Sequence, residues 1–375
     1  MVVQILPRPA RNELDKIIMK HSLRTQTLVT LMALLTVTAN AQWTASILHP
    51  DGYGDCGAGF GVGDTIYGGA TKNGAAHAGV FTQNGFESYN PPGAANCGIS
   101  AVDGSHQFGV AYFGSEHAAR WSGSAGSFED WNPTGASASY IYTARGGTAG
   151  GYATFNGSQH ATLWNGAGVD DLTDLHNDAW LHSAVDAIQG NDQFGDVTLA
   201  NNTAHAGRWA GTAASFVDMN PIGALESQII GATQGRQVGW SDTGNGYQAT
   251  AWSGSMASAV NLNPIGYAQS IAYDVSGSSV AGTVWSGGDS HAGYWNADTQ
   301  EFIDLQPFLT GYSASAAYGV QIYGGTVRVY GQAWNTQAER FDAVVWSQPV
   351  PEPVTRIALG LVFPLLAARR RSSGR

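Results

Sequence analysis

The 375-residue chain holds 50 Gly and 12 Trp but only 12% charged residues, and its formal net charge is -11. So many large rings exclude disorder despite the low charge. Abundant Gly beside aromatic and β-branched residues predicts many short strands joined by tight turns. Between Gln42 and Val350, 25 Asp/Glu stand against 7 Lys/Arg, a difference of -18 with no basic patch, which excludes nucleic acid as a partner.

The first element is a processing segment. Met19-Lys20-His21-Ser22-Leu23-Arg24 supplies a basic start, Leu28 to Val37 an apolar run, and Ala39-Asn40-Ala41 a small-x-small cleavage site. The expected cut lies between Ala41 and Gln42. Residues 1–18 precede an already complete signal, so Met19 is the expected initiator and 1–41 a leader and signal peptide. Cleavage places residues 42–348 outside the cytoplasm.

Those residues carry a repeat. The copies are His77-Ala78-Gly79-Val80-Phe81, His117-Ala118-Ala119-Arg120-Trp121, His160-Ala161-Thr162-Leu163-Trp164 and His205-Ala206-Gly207-Arg208-Trp209. They continue as Gln248-Ala249-Thr250-Ala251-Trp252, His291-Ala292-Gly293-Tyr294-Trp295 and Asp342-Ala343-Val344-Val345-Trp346. Ala is second in all seven, and Trp is fifth in six. Successive copies start 40, 43, 45, 43, 43 and 51 residues apart. A Gly-rich alternating segment precedes each copy. A turn and a short strand follow, ending in Asn-Pro or similar, as in Asn132-Pro133, Asn220-Pro221 and Asn263-Pro264. Proline cannot donate to a ladder, so the strand stops there.

Four short strands in about 43 residues make one propeller blade. Along a strand, alternate residues face opposite sides, which sets the Trp of each motif against the gap between blades and the Ala against the neighbouring backbone. The last unit lacks an outer strand, and Trp43-Thr44-Ala45-Ser46-Ile47-Leu48 stands alone before the first. The sequence therefore predicts an all-β, seven-bladed propeller closed by N- and C-terminal strands in one blade, complete as a monomer; an open β-solenoid is the rival architecture. The repeats, spanning roughly residues 55 to 347, resemble the HAF family of extracellular repeats, although here the aromatic is the fifth motif residue. That resemblance implies a propeller-like extracellular domain and supplies no catalytic residues.

Five of the ten histidines open a motif copy. They belong to five different blades, so they cannot converge on one metal. Gln248 and Asp342 fill the same position, which points to a hydrogen-bonding role. Trp131, Trp180, Trp240, Trp285 and Trp334 lie outside the motif; burial is the expectation for most of them, and any that are exposed could stack on sugar rings. Cys56 and Cys97 are 41 residues apart, and in an exported protein they are candidates for a disulfide between adjacent blades.

No nucleophile elbow, zinc-protease motif, P-loop or dinucleotide fingerprint occurs, and no catalytic or cofactor residue is assigned. Two acidic clusters, Asp170, Asp171, Asp174 and Asp178, and Asp192 with Asp196, are candidates for calcium but read better as solvated turns. A carboxylate pair for glycoside cleavage could still assemble from different blades. The irregular segment from Asp170 to Trp180, where Leu172-Thr173-Asp174-Leu175-His176 replaces the usual ending, is the best place for a grafted site.

The last element, residues 349–375, is a tail. Pro351-Glu352-Pro353 precedes an apolar stretch, Ile357 to Ala368, and then Arg369-Arg370-Arg371. This resembles the PEP-CTERM sorting signal of Gram-negative bacteria, which implies recognition by an exosortase and cutting near the triplet. The stretch can enter a bilayer as a short helix, and the Arg cluster favours the cytoplasmic side. It is short against the ~20 residues of a stable span, which suits temporary retention. The expected function is a structural or interaction role in the cell envelope or exopolysaccharide matrix. The alternatives are a carbohydrate-binding module and a glycan-cleaving enzyme.

Overall fold

The computed structural model describes residues 42–350. The expected signal peptide and sorting tail, including its membrane helix, lie outside the described residues. Seven four-stranded antiparallel sheets form a closed ring. The inner strands, in blade order, are β2 (Cys56–Val62), β6 (Asn96–Asp103), β10 (Ala138–Arg145), β14 (Trp180–Gln189), β18 (Glu226–Thr233), β22 (Gln269–Ser276) and β26 (Tyr312–Tyr323). Closure is as the sequence predicts. The orphan segment is β1 (Thr44–Leu48), which pairs with β28 (Arg340–Pro349) as the outer strand of blade seven, Thr44 opposite Ser347 and Leu48 opposite Ala343.

The hairpins follow from local chemistry. Between β11 (Thr148–Phe155) and β12 (Ser158–Trp164), Asn156 and Gly157 have φ of 52° and 84°. Two left-handed residues make the tight turn whose twist matches its strands.

The core is seven layers, one at each blade interface, with no single centre. Trp121, Trp164, Trp209, Trp252, Trp295 and Trp346 are all fully buried. Each packs against the preceding blade: Trp164 of blade three shares its layer with Ala118 and Trp131 of blade two. Four also donate through Nε1 to the preceding blade, Trp252 to the Met219 carbonyl at 3.1 Å for example. The Ala of the motif faces the other side and is as deeply buried. A ring of this size in such a layer is worth about 3–5 kcal/mol.

Candidate functional site: the central channel

Every inner strand carries a bulge at the same place. The residue left out of register is Gly59, Ser100, Tyr142, Asp186, Ile230, Tyr273 and Tyr318 in blades one to seven. Opposite each bulge the second strand has a glycine: 68, 109, 151, 195, 239, 282 and 331. A Cβ at Gly151 would overlap the carbonyl oxygen of Tyr140, and the other six meet an inner-strand carbonyl in the same way. The bulge turns one residue per blade toward the axis. All seven inner strands line one axial cavity of about 590 Å³, and each bulge residue is part of its wall.

The wall is acidic and aromatic. Gln228 Nε2 donates to Asp186 Oδ2 and to Asp196 Oδ1, both at 3.2 Å. Trp240 Nε1 donates to Gln228 Oε1, also at 3.2 Å, which fixes the amide's orientation. Burial raises the pKa of both aspartates, and for Asp186 the charge of Asp196 raises it further; the Gln228 amide opposes each shift. Such surroundings disfavour a charge on both carboxyls at once. Tyr142 stacks on Tyr140 at 4.4 Å between ring centroids. Its hydroxyl is held neutral by burial and then by the charge of Asp186. Tyr152 donates to Glu116 beside this stack. Across the axis Tyr273 and Tyr318 lie 5.8 Å apart, and burial pushes the Tyr318 phenol up to about 12.

The histidines belong to a different device, at the outer rim. In four blades His Nδ1 meets an Asp on the outer strand: His117 with Asp130 at 2.8 Å, His160 with Asp174 at 2.9 Å, His205 with Asp218 at 2.9 Å and His291 with Asp304 at 2.8 Å. His77 meets Ser88 at 2.9 Å, and Asn261 donates to Gln248. The arrangement then latches onto the next blade. Asp130 Oδ1 accepts the Asn132 amide, Asn132 Oδ1 accepts the Ser139 hydroxyl, and Ser139 Oγ accepts the backbone N–H of Ala118. The circuit returns to the residue beside His117. Ser227 and Ser270 repeat it at the next junctions.

This latch corrects the expected disulfide. Cys56 and Cys97 are both free, and each occupies the latch serine's place at its own blade junction. Cys97 Sγ accepts the Ala78 amide at 3.2 Å, and Cys56 Sγ lies 3.5 Å from His49 Nδ1. His49-Pro50, following β1, supplies blade seven with its version of the Asn-Pro ending, and His49 pairs with Asp342 at 2.9 Å. Equivalence one repeat apart therefore puts the thiols at successive junctions, each with its own partner. The irregular segment before Trp180 is a latch variant as well. His176 takes the Asn position, meets Ser183 Oγ at 2.8 Å and stacks on His160 at 4.0 Å.

The acidic clusters are used one carboxylate at a time. Asp170 accepts from Thr134, Asp171 from the Ala167 amide, and Asp192 pairs with Arg208 at 3.1 Å. Among the described residues no three His, Cys, Asp or Glu side chains gather as a metal site. Of the six tryptophans outside the motif, Trp43 and Trp131 are buried, and Trp180, Trp240, Trp285 and Trp334 are half-buried; Trp240 alone joins the channel network. The sequence reading missed the channel tyrosines, Asp186 and the seven glycines. Aligning the units on those glycines and reading back to the bulge would have exposed them.

No family model matches the chain, and neither does any curated protein sequence. Solved structures do match. A puromycin hydrolase is 13% identical with a TM-score of 0.55, covering 80% of this chain and 55% of that one. A puromycin-hydrolyzing peptidase from Mycobacterium tuberculosis is 12% identical with a TM-score of 0.54, covering 76% and 52%. The β-propeller domain of the Trilobed protease from Pyrococcus furiosus is 9% identical with a TM-score of 0.52, covering 82% and 99%. The chain thus spans about half the length of the first two. At these identities the likeness is one of fold. The Pyrococcus domain is described as having an open velcro topology, whereas here β1 zips onto β28.

Proposed function

We propose that this is an exported binding protein of the cell envelope or exopolysaccharide matrix, and that it binds a glycan in its axial channel. One observation carries the reading. The seven bulge positions share one backbone geometry yet hold Gly, Ser, Tyr, Asp, Ile, Tyr and Tyr. The fold does not dictate those side chains, so they are free to serve a ligand. A concave site with aromatic platforms and a few convergent polar groups suits a sugar. The export and sorting part rests on Ala39-Asn40-Ala41, Pro351-Glu352-Pro353 and Arg369-Arg370-Arg371. Cuts at both places would fall outside β1 and β28, and would spare the closing pair. An exosortase and a transient membrane stage belong to the same proposal.

Calorimetry of the purified chain against a polysaccharide panel tests the binding reading. Binding that is lost in Tyr142→Ala supports it; silence across the panel, or binding unchanged in that variant, overturns it. The carboxylate pair Asp186–Asp196 favours a second reading, glycan cleavage. Release of reducing ends that stops in Asp186→Asn would establish it.

A further inference from the structure

The channel is short of positive charge. Its wall includes Asp103, Asp186 and Asp274, and the one cation among the lining residues is Arg145, which donates to Gln189 at 2.8 Å. Asp103 accepts the Gly147 amide, and Asp274 accepts the amides of Val275 and Val320, so backbone donors satisfy both. The pair of Asp186 and Asp196 is different. Two carboxylates share the single Gln228 amide nitrogen, and among the described residues no cation approaches either. An ionised carboxylate pair can accept several more hydrogen bonds than that. Burial with so few donors is what raises both pKa values. Beside Asp186 stands the electron-rich stack of Tyr142 on Tyr140.

A carboxylate in need of donors next to an aromatic face is complementary to an ammonium group. The group gives charge-assisted hydrogen bonds to the first and a cation–π contact to the second. The domain's charge of -18 between Gln42 and Val350 would draw such a cation in. We propose that the channel binds a protonated amine carried on a sugar ring, a hexosamine lacking its N-acetyl group, with the ammonium at Asp186 and the ring against Tyr142. This rests on the glycan-binding reading and names its ligand class.

The test is calorimetry of the purified chain at pH 7 with three probes: a β-1,4-linked glucosamine disaccharide, its di-N-acetylated counterpart and 1,5-diaminopentane. The glucosamine disaccharide is expected to bind, and the N-acetylated form at least tenfold more weakly. Asp186→Asn, which keeps side-chain shape, should lose at least tenfold for the glucosamine disaccharide and leave the N-acetylated form unchanged. Asp289→Asn, an exposed carboxylate on β24 (Asp289–Asn296), should change nothing. Coincident thermal unfolding of the two variants and the parent would show that the fold is kept. Equal binding of both disaccharides, or an undiminished Asp186→Asn, overturns the amine while leaving a neutral-glycan channel standing. Diaminopentane binding as tightly as the disaccharide overturns the sugar ring's part. Silence of all three probes overturns the amine, and the glycan reading falls with it only if the wider panel is silent too.

Discussion

The outer seam and the channel wall are both sevenfold, but they repeat different things. At the seam geometry and chemistry repeat together: a buried Trp in six blades of seven, an Ala opposite in all, and a latch that runs from His through Asp and Asn to the next blade's Ser or through close substitutes for them. At the wall only geometry repeats, and the side chains range from Gly59 to Tyr318. Repeated chemistry marks what the ring needs in order to close, since each interface is a nearest-neighbour contact that every blade must make. Varied chemistry on a repeated backbone marks positions that the ring does not need.

The sharpest break in that comparison is a pair of truncations. Trp252→Ala, which empties a fully buried layer, should cost about 3–5 kcal/mol in denaturant unfolding. Tyr318→Ala, at a partly exposed wall position, should cost under about 1 kcal/mol. Equal losses would erase the distinction. Next in size is Gly151→Ala. Its Cβ has no room against the Tyr140 carbonyl and should cost about 1–3 kcal/mol by the same measurement, even though alanine normally suits a strand better than glycine.

The latch is the next target. Ser227→Ala leaves the Ala206 amide and the Asn220 side chain without their shared partner, at about 1–3 kcal/mol. Cys97→Ser installs the residue used at five other junctions and should stay within about 0.5 kcal/mol of the parent. A Cys97→Ser loss as large as that of Ser227→Ala would show that the thiol does something the latch does not require.

The wall has its own signature, in pH. The folded-state pKa of Asp186 is raised above its unfolded value, so its ionisation weakens the fold. Its contribution to stability is fully present below about pH 4 and is lost as pH rises through the native value. Asp186→Asn removes that loss. The variant should melt higher than the parent at pH 8, with the gap closing below about pH 4 by thermal unfolding. A gap of constant size would mean that Asp186 titrates alike in the folded and the unfolded chain. The smallest effect concerns the thiols. Burial raises Cys56 to about 12, with Asp342 adding to the shift, and Cys97 to about 11. Neither should react with iodoacetamide at pH 8 in the native protein, both should react once it unfolds, and reduction should not change migration.

The sequence by itself determined the architecture. Seven spaced His-Ala-x-x-Trp copies and an orphan strand beginning at Trp43 were enough for blade count, closure and the face each Trp takes, because strand alternation and repeat length are local properties. It also showed that the motif histidines hydrogen-bond, since Gln248 and Asp342 stand in their place. Which partners they would find was not legible: Ser139 meets Asn132 only because one blade's outer end reaches the next blade's inner strand. The Cys56–Cys97 expectation failed for the same reason, as repeat-equivalent residues come to lie at separate junctions. The channel was decided by tertiary structure alone. Tyr142, Asp186 and Tyr318 sit in ordinary strand sequence, and one-residue bulges over glycines turn them inward together. Convergence on an axis is a property of the closed ring, and no single repeat contains it.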